Sequence, residues 1–407
     1  MPPMPELANR RTKPATFTID ALIRLIRPFF HNPVVAAAAL LAGIHQASAQ
    51  GELAFAFARR DLAPRQKVRL ILELARDALA NSRLLRLYAY LVGIKAINAL
   101  GNRVVINKSA PRPIMWRDHV VVITGGARGI LGETARMLAR KGAKSDHGTE
   151  RLYVQTDVTS EASLIAAKKR IETELGLCTM LIAGAGLGRH GFLLDPPEVF
   201  PTEYATEVSD VNLHGVVATL KVFGQDMLPD GGRREGKEIK QARNGWGGHI
   251  LILGSGAAFV ELPGNGTYNA SKAGAVSLHH TLSTELEAWH NVDNVRNSVI
   301  CPLKVESPMT DGMMKDTDNQ FLLPTLIIPE VAAKIVSMLE EDKSRMVFMP
   351  RAAYVLSYIT PALFTTTAAG EQRNLPPWLL RLSLRGVGAF ETFLTYSRVH
   401  RTADATK

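Results

Sequence analysis

The sequence predicts an α/β protein: a doubly wound parallel sheet, with helical extensions at both ends. Three observations carry that expectation. From Val120 onward, short β-branched runs (Val120–Thr124, Leu152–Gln155, Met180–Ala183, His249–Leu253) alternate with helical stretches such as Glu133–Lys141 and Leu164–Leu175, the pattern of strands joined by crossover helices. The first of these runs leads into a glycine turn and a helix start. Residues before about 118 and after about 345 lack the alternation, so the chain divides into 1–117, 118–345 and 346–407.

Composition sets the limits. Of 407 residues, 46% are apolar and 21% charged, a globular composition with room for one core of about 250 residues and appended segments. Cys178 and Cys301 are the only cysteines, which excludes a disulfide framework and any cysteine-rich zinc module, and fits a reducing compartment. Net charge is +10, yet residues 1–118 hold 18 Lys/Arg against 7 Asp/Glu and the rest 30 against 31. The basic excess is therefore N-terminal, where it suits an anionic lipid surface. No nucleic-acid reading motif accompanies it, and no nucleic-acid partner is expected.

Residues 1–16 are Pro-rich and polar, without the pattern of a secretory signal. Val34–Ile44 is an 11-residue apolar run, short for a bilayer crossing of about 20 residues. Residues 65–100 have helical period. Val68, Ile71, Leu72, Ala75 and Leu79 share one face and Arg65, Arg69, Glu73 and Arg76 the other; Leu84–Leu100 then follows, almost wholly apolar except Arg86, Lys95 and a few small or polar residues. A basic amphipathic helix followed by an apolar one predicts membrane-surface attachment; a helical subdomain packed on the rest of the protein is the plain alternative.

At Val120–Ile130 the glycines allow a tight turn and close approach of a pyrophosphate, and the helix start supplies free N–H groups. The alternative is an ordinary β–α turn. Asp157, in Gln155–Thr159, is placed to accept from an adenine amine or to cap the helix beginning near Ser160. Tyr268 and Lys272 stand at i and i+4, on one helix face. A free phenol titrates near pH ~10, and a neighbouring ammonium lowers that value. Ser255, thirteen residues upstream between Gly254 and Gly256, is placed to hold a carbonyl or alcohol oxygen, and the Asn212 amide to hold a water that relays protons to Lys272.

Thr124–Gly129, Asp157, the Ala183–Gly186 turn, Asn212, Ser255, Tyr268 with Lys272, and Cys301–Ser307 together resemble the short-chain dehydrogenase/reductase family over about residues 118–345. The resemblance implies a Rossmann-type fold and NAD(P)-dependent interconversion of an alcohol with a ketone or aldehyde. It implies Tyr268 as acid/base, Lys272 as its activator and ribose binder, Ser255 as substrate polariser and Asn212 as relay. Thr124, Gly125, Arg128, Gly129, Ile130, Asp157, Ala185, Gly186, Tyr268, Lys272, Pro302, Val305 and Ser307 would line the cofactor. The flanking segments resemble the membrane-associated branch that handles retinoids, steroids and other lipophilic alcohols. That branch implies the cytoplasmic face of an internal membrane, endoplasmic reticulum or lipid droplet, and dimerisation through the helices around Tyr268.

The pattern is broken in places. Leu131 puts a bulky side chain where the family has the last glycine of its turn, and Gly184 replaces an asparagine whose hydrogen bond braces the sheet. Only Gly142 to Arg151, ten residues, separate Lys141 from Leu152, too few for the family's second strand and helix. The residue that chooses between NAD and NADP is thus absent; Arg128 favours NADP, with NAD the alternative. Ala143–Arg151 either fills the gap or leaves the fold damaged there, so a non-catalytic membrane-surface protein is the competing reading.

Residues 229–248 are read as a charged surface loop; Gly231–Lys237 matches a phosphate-loop core, but Glu238 stands where Ser or Thr is needed and no strand precedes it. No metal site is expected, since His279 and His280 lack carboxylate company. The sequons at Asn265 and Asn269 flank Tyr268 and are read as chance. Leu303–Ile328, rich in methionine and phenylalanine, is expected as an apolar lid, and Ala352–Phe364 with Pro376–Leu382 as a substrate-covering or membrane-dipping extension.

Overall fold

The computed structural model describes residues 18, 25, 33–47, 63–143, 152–230, 241–260, 263–307 and 324–351. Residues 19–108 form one compact unit, and the α/β unit comprises residues 1–18 and 109–407.

The N-terminal unit contains α1 (Pro33–Ala47), α2 (Pro64–Asn81) and α3 (Arg83–Gly101). Ser82 starts α3 by accepting from the Leu85 amide at 3.3 Å, a side-chain cap for an otherwise orphaned donor. The unit's core is small: Ile44 and Leu85, with Leu40, Ala75 and Leu79 against them. Ala75 and Leu79 thus use the predicted face of α2, but Leu72 on that face is exposed.

In the α/β unit, β1 (Val121–Thr124), β2 (Met180–Ala183), β3 (Gly248–Leu253), β4 (Val295–Pro302) and β7 (Arg345–Met349) form one parallel sheet in the order β1-β2-β3-β4-β7. A second, two-stranded sheet joins β5 (Val305–Glu306) to β6 (Leu326–Ile327). Helices α4 (Gly129–Arg140), α5 (Glu161–Glu174), α6 (Thr202–Ser209), α7 (Gly215–Phe223), α8 (Gly266–Ala288) and α9 (Ile328–Glu340) make the crossovers. β7 runs past the 345/346 boundary read from composition.

The strands are buried on both faces, and their side chains alternate between two cores. Met180, Ile182, Leu251 and Ile300 meet Leu131 and Leu138 of α4 and Val331, Ile335 and Leu339 of α9. On the other face Leu181, Ile250 and Val295 meet Leu164 of α5, Val222 and Phe223 of α7, and Leu286 of α8. Burying each such aliphatic side chain stabilises the fold by about 1.5–3 kcal/mol.

Two expectations are corrected. Leu152–Gln155 is not a strand: it alternates half-buried and exposed residues but carries no sheet pairing, and β1 pairs with β2 alone among the described residues. Period-2 burial reports one covered side, whereas a strand also needs a partner. The 229–248 segment is not simply a surface loop. Asn244 donates to the carbonyls of Cys178 and Gly247, both at 2.7 Å, and Trp246 lies 3.7 Å beneath the Arg112 guanidinium. Residues 231–240, the lid residues 308–323 and the C-terminal residues 352–407 lie outside the described residues.

Candidate active site

The site forms at the carboxyl ends of β1, β2, β3 and β4, where a parallel sheet opens between its crossover helices. β1 ends at Thr124, whose Oγ1 accepts from the amides of Gly184 at 3.1 Å and Ala185 at 3.4 Å. That hydroxyl braces the turn after β2 in place of a residue-184 side chain. Gly125 has φ 78° and lies so close to Ala185 that a Cβ there would stand 2.9 Å from its Cα, a position only glycine fills without strain.

A pyrophosphate needs backbone donors, room beside them and no carboxylate. Gly129 opens α4 at φ 65°, and a Cβ there would meet nothing within 4 Å. The first-turn N–H groups have no intrahelical acceptor, and Arg128 beside them is exposed. Leu131 does not fill this space: it is 2% exposed and packs inward among Met180, Ile182 and Leu251. Ile130 packs partly on the same core. The residues present therefore fit a dinucleotide phosphate. Asp157 is exposed; the Thr159 amide and hydroxyl, which both bond its Oδ1, hold its carboxyl below the usual range.

Tyr268 stands in the first turn of α8, with the Ser255 side chain facing its phenol. Burial pushes the phenol up, and the Ser255 hydroxyl pulls it back only in part. Ser255 is the side chain that lowers it; Lys272 Nζ lies 5.9 Å from the Tyr268 ring centroid and donates to the Leu253 carbonyl at 3.0 Å. Burial brings Lys272 down to about 8, opposed by the nearby Cys301 thiol. Ser255 Oγ also accepts from the Ala257 amide at 3.1 Å.

Asn212 sits in a π-helical turn, Asp210–His214, between α6 and α7, and is fully buried. Its Oδ1 accepts from the Leu187 amide at 2.8 Å; its Nδ2 donates to the Leu187 carbonyl at 2.9 Å and to Ser271 Oγ at 3.0 Å. Both amide hydrogens are committed to protein, so the side chain braces the 184–187 turn. A Cβ on Gly186 would lie 3.5 Å from Asn212 Oδ1 and 3.7 Å from Lys272 Nζ, which places this turn, Asn212 and Lys272 together. Pro302 ends β4, Val305 points into the core, and Ser307 is half-buried.

Some neighbours of the site were not singled out from sequence. His190 Nδ1 bonds Asn265 Oδ1 and Gly191 bridges to Asn265, three residues before Tyr268. Leu193 packs against Gly266 while 73% exposed, and Leu194 is 97% exposed. The apolar triplet Phe192–Leu194 was the available signal. Asn265 and Asn269 are buried, as the chance reading of the sequons requires. Among the described residues no cluster of three metal-ligating side chains occurs.

The sheet, the open glycine turn and the Ser255–Tyr268–Lys272 grouping define a dinucleotide-binding oxidoreductase domain. The model of the short chain dehydrogenase family matches residues 119–318. The chain is 30% identical over 207 residues to the acetoacetyl-CoA reductase of Synechocystis sp., covering 49% of this chain and 77% of that protein. It is 28% identical over 304 residues to the probable oxidoreductase EphD of Mycobacterium tuberculosis, covering 66% of this chain and 48% of that one. Against retinol dehydrogenase 10-B of Danio rerio, identity is 28% over 209 residues, with 51% and 55% covered. The chain belongs to the short chain dehydrogenase family, whose members are NAD(P)-dependent oxidoreductases. It spans about half the length of EphD.

Proposed function

We propose that this protein interconverts an alcohol and a ketone or aldehyde on a lipophilic substrate of retinoid, steroid or fatty-alcohol type, with NADP as its preferred cofactor, at a membrane surface. The observation that carries the reading is the Ser255 side chain facing the Tyr268 phenol, with Lys272 one turn further along α8, beside a glycine turn that is open at Gly129. When bound, the nicotinamide supplies or accepts hydride at C4. Ser255 holds the substrate oxygen, and Tyr268 gives or takes its proton. Lys272, anchored on the Leu253 carbonyl, turns its ammonium toward the ribose, and Asn212 fixes the turn beside it. Exposed Arg128 supplies a cation for a 2′-phosphate. Leu193 and Leu194, next to the start of α8, give the substrate side an apolar rim.

Support for the membrane comes from the segment Arg83–Val104, which is long and apolar enough to cross a bilayer by length and composition. Leu84 is 81% exposed and Ile97 74%; Arg83, Arg103 and Lys108 flank the apolar stretch, and Arg86 and Lys95 lie within it. The cytoplasmic face of an internal membrane, endoplasmic reticulum or lipid droplet, and a homodimer formed through the helices around Tyr268 complete the proposal.

The test is fluorescence titration with NADPH and NADH, followed by turnover on a panel of retinoid, steroid and fatty-alcohol substrates. NADPH is expected to bind more tightly. Tyr268→Phe is expected to keep nucleotide binding and lose roughly 10²–10⁴-fold in turnover. Failure to bind either nucleotide supports the non-catalytic reading.

A further inference from the structure

We infer that Leu131 and Gly184 are a matched exchange, and that Leu131 is thereby a positioning residue for the two turns that face the cofactor. The positional half of this inference rests on the dinucleotide reading of the cleft; the steric half does not. Read separately, each residue is a defect: a leucine where backbone should approach closely, and a glycine where a side chain should brace the sheet. In the structure they occupy one space. A Cβ on Gly184 would stand 2.4 Å from Leu131 Cδ1 and 3.0 Å from Leu253 Cβ. Gly184 is absent from the glycines with positive φ, so its backbone is open to any residue and the contact alone forbids a side chain.

Leu131 cannot readily yield. It is 2% exposed and belongs to the buried core that includes Met180, Ile182 and Leu251, and interiors at crystal-like density pass such a push on to their neighbours. The turn it supports has little slack. The Gly184 and Ala185 amides hang on Thr124 Oγ1. A Cβ on Gly125 would stand 2.9 Å from Ala185 Cα, and Gly186 abuts Lys272 Nζ. Displacement at Gly184 therefore reaches the phosphate turn on one side and Lys272 on the other. With the leucine directed inward under this turn, the face of α4 at Gly129 stays clear.

A double-mutant cycle tests this, with thermal unfolding read without nucleotide and NADPH affinity read separately. Gly184→Ala is expected to lower Tm by roughly 4–8 °C in the wild-type background. In the Leu131→Ala background the 2.4 Å contact is gone and only the milder one with Leu253 stays, so the same change is expected to cost less than half as much. Equal losses in both backgrounds overturn the steric pairing. If Gly184→Ala does not fold, the double variant is expected to fold; a double that fails while Leu131→Ala folds overturns it equally. The NADPH Kd is expected to rise about tenfold or more in Gly184→Ala, a loss of ~1.4 kcal/mol, and to return in the double to within about threefold of Leu131→Ala. An unchanged Kd in Gly184→Ala overturns the positioning role. Absence of any nucleotide binding by the wild type overturns the dinucleotide reading and the positioning role with it, and the Tm cycle still decides the pairing.

Discussion

Lys272 is held under opposing demands. Its Nζ is anchored on the Leu253 carbonyl beside Gly186, inside the protein, and burial brings its titration down to about 8. In the unfolded chain a lysine titrates near ~10.4. Below pH 8 both states are charged, and the folded state bears the burial cost. Between about 8 and 10.4 the unfolded chain holds the proton more tightly, so stability contributed at this position rises with pH. The expected outcome is that the stability of the wild type relative to Lys272→Met climbs by roughly 1–3 kcal/mol from pH 7.5 to 10, as read by urea unfolding across that range. A flat difference would show that the ammonium is not desolvated. At this scale the sequence was informative where chemistry dictates spacing: an i, i+4 pair fixes Tyr268 and Lys272 on one helix face, and Ser255 is met there at the end of β3. It was silent where partners come from afar. Nothing near Asn212 announces that Leu187 and Ser271 take up its amide, and nothing near Leu131 announces Gly184.

Among the elements, α3 is the one whose surface chemistry conflicts with water. Leu85 reaches the small core of its unit, while Leu84, Leu87, Tyr90, Ile94, Ile97 and Leu100 are exposed around the helix. A helix whose apolar residues are not confined to its packed face is consistent with the proposed lipid contact. Replacing Leu87 and Ile94 by lysine removes no packing, since both are exposed, but places two charges where lipid is proposed, at about 2.5–3.5 kcal/mol each near the helix centre of an inserted segment. The double substitution is expected to shift the protein from floating with phosphatidylserine-containing vesicles to the soluble fraction, with Tm unchanged. Continued flotation would mean that α3 is not the membrane element. Periodicity announced α3 because an apolar run needs no partner to be recognised. It misreported Leu152–Gln155 because alternation cannot reveal whether a second strand lies alongside.

Across the whole molecule the sheet separates two tasks between its edges. The carboxyl edge carries the site. The amino edge carries a buried charge cluster in which Arg112 clasps Asp342 through its Nε at 3.0 Å, NH2 at 2.9 Å and backbone amide at 2.8 Å. Arg296 adds an ion pair to the same carboxylate at 3.4 Å and bonds the carbonyls of Ser109 and Ala110, each at 3.1 Å. Burial pushes the Asp342 carboxyl up, but the two arginines outweigh it and hold it below the usual range. Residues 109–112, which composition assigns to the N-terminal region, are thereby tied to the starts of β4 and β7. The sequence hid this because the three charges lie far apart along the chain and each alone reads as a surface residue. Asp342→Asn keeps the shape and removes the charge, leaving Arg296 buried without its counter-ion. It is expected to cost about 3–5 kcal/mol, measured as a lower urea midpoint with unchanged slope. β3 and β4, six and eight residues long, separate the cluster from Tyr268 by roughly 20 Å, so kcat/KM of the folded variant is expected to equal that of the wild type. A stability loss below about 1 kcal/mol would mean that water already reaches the cluster, and a selective loss of kcat would mean that the two edges of the sheet are not independent.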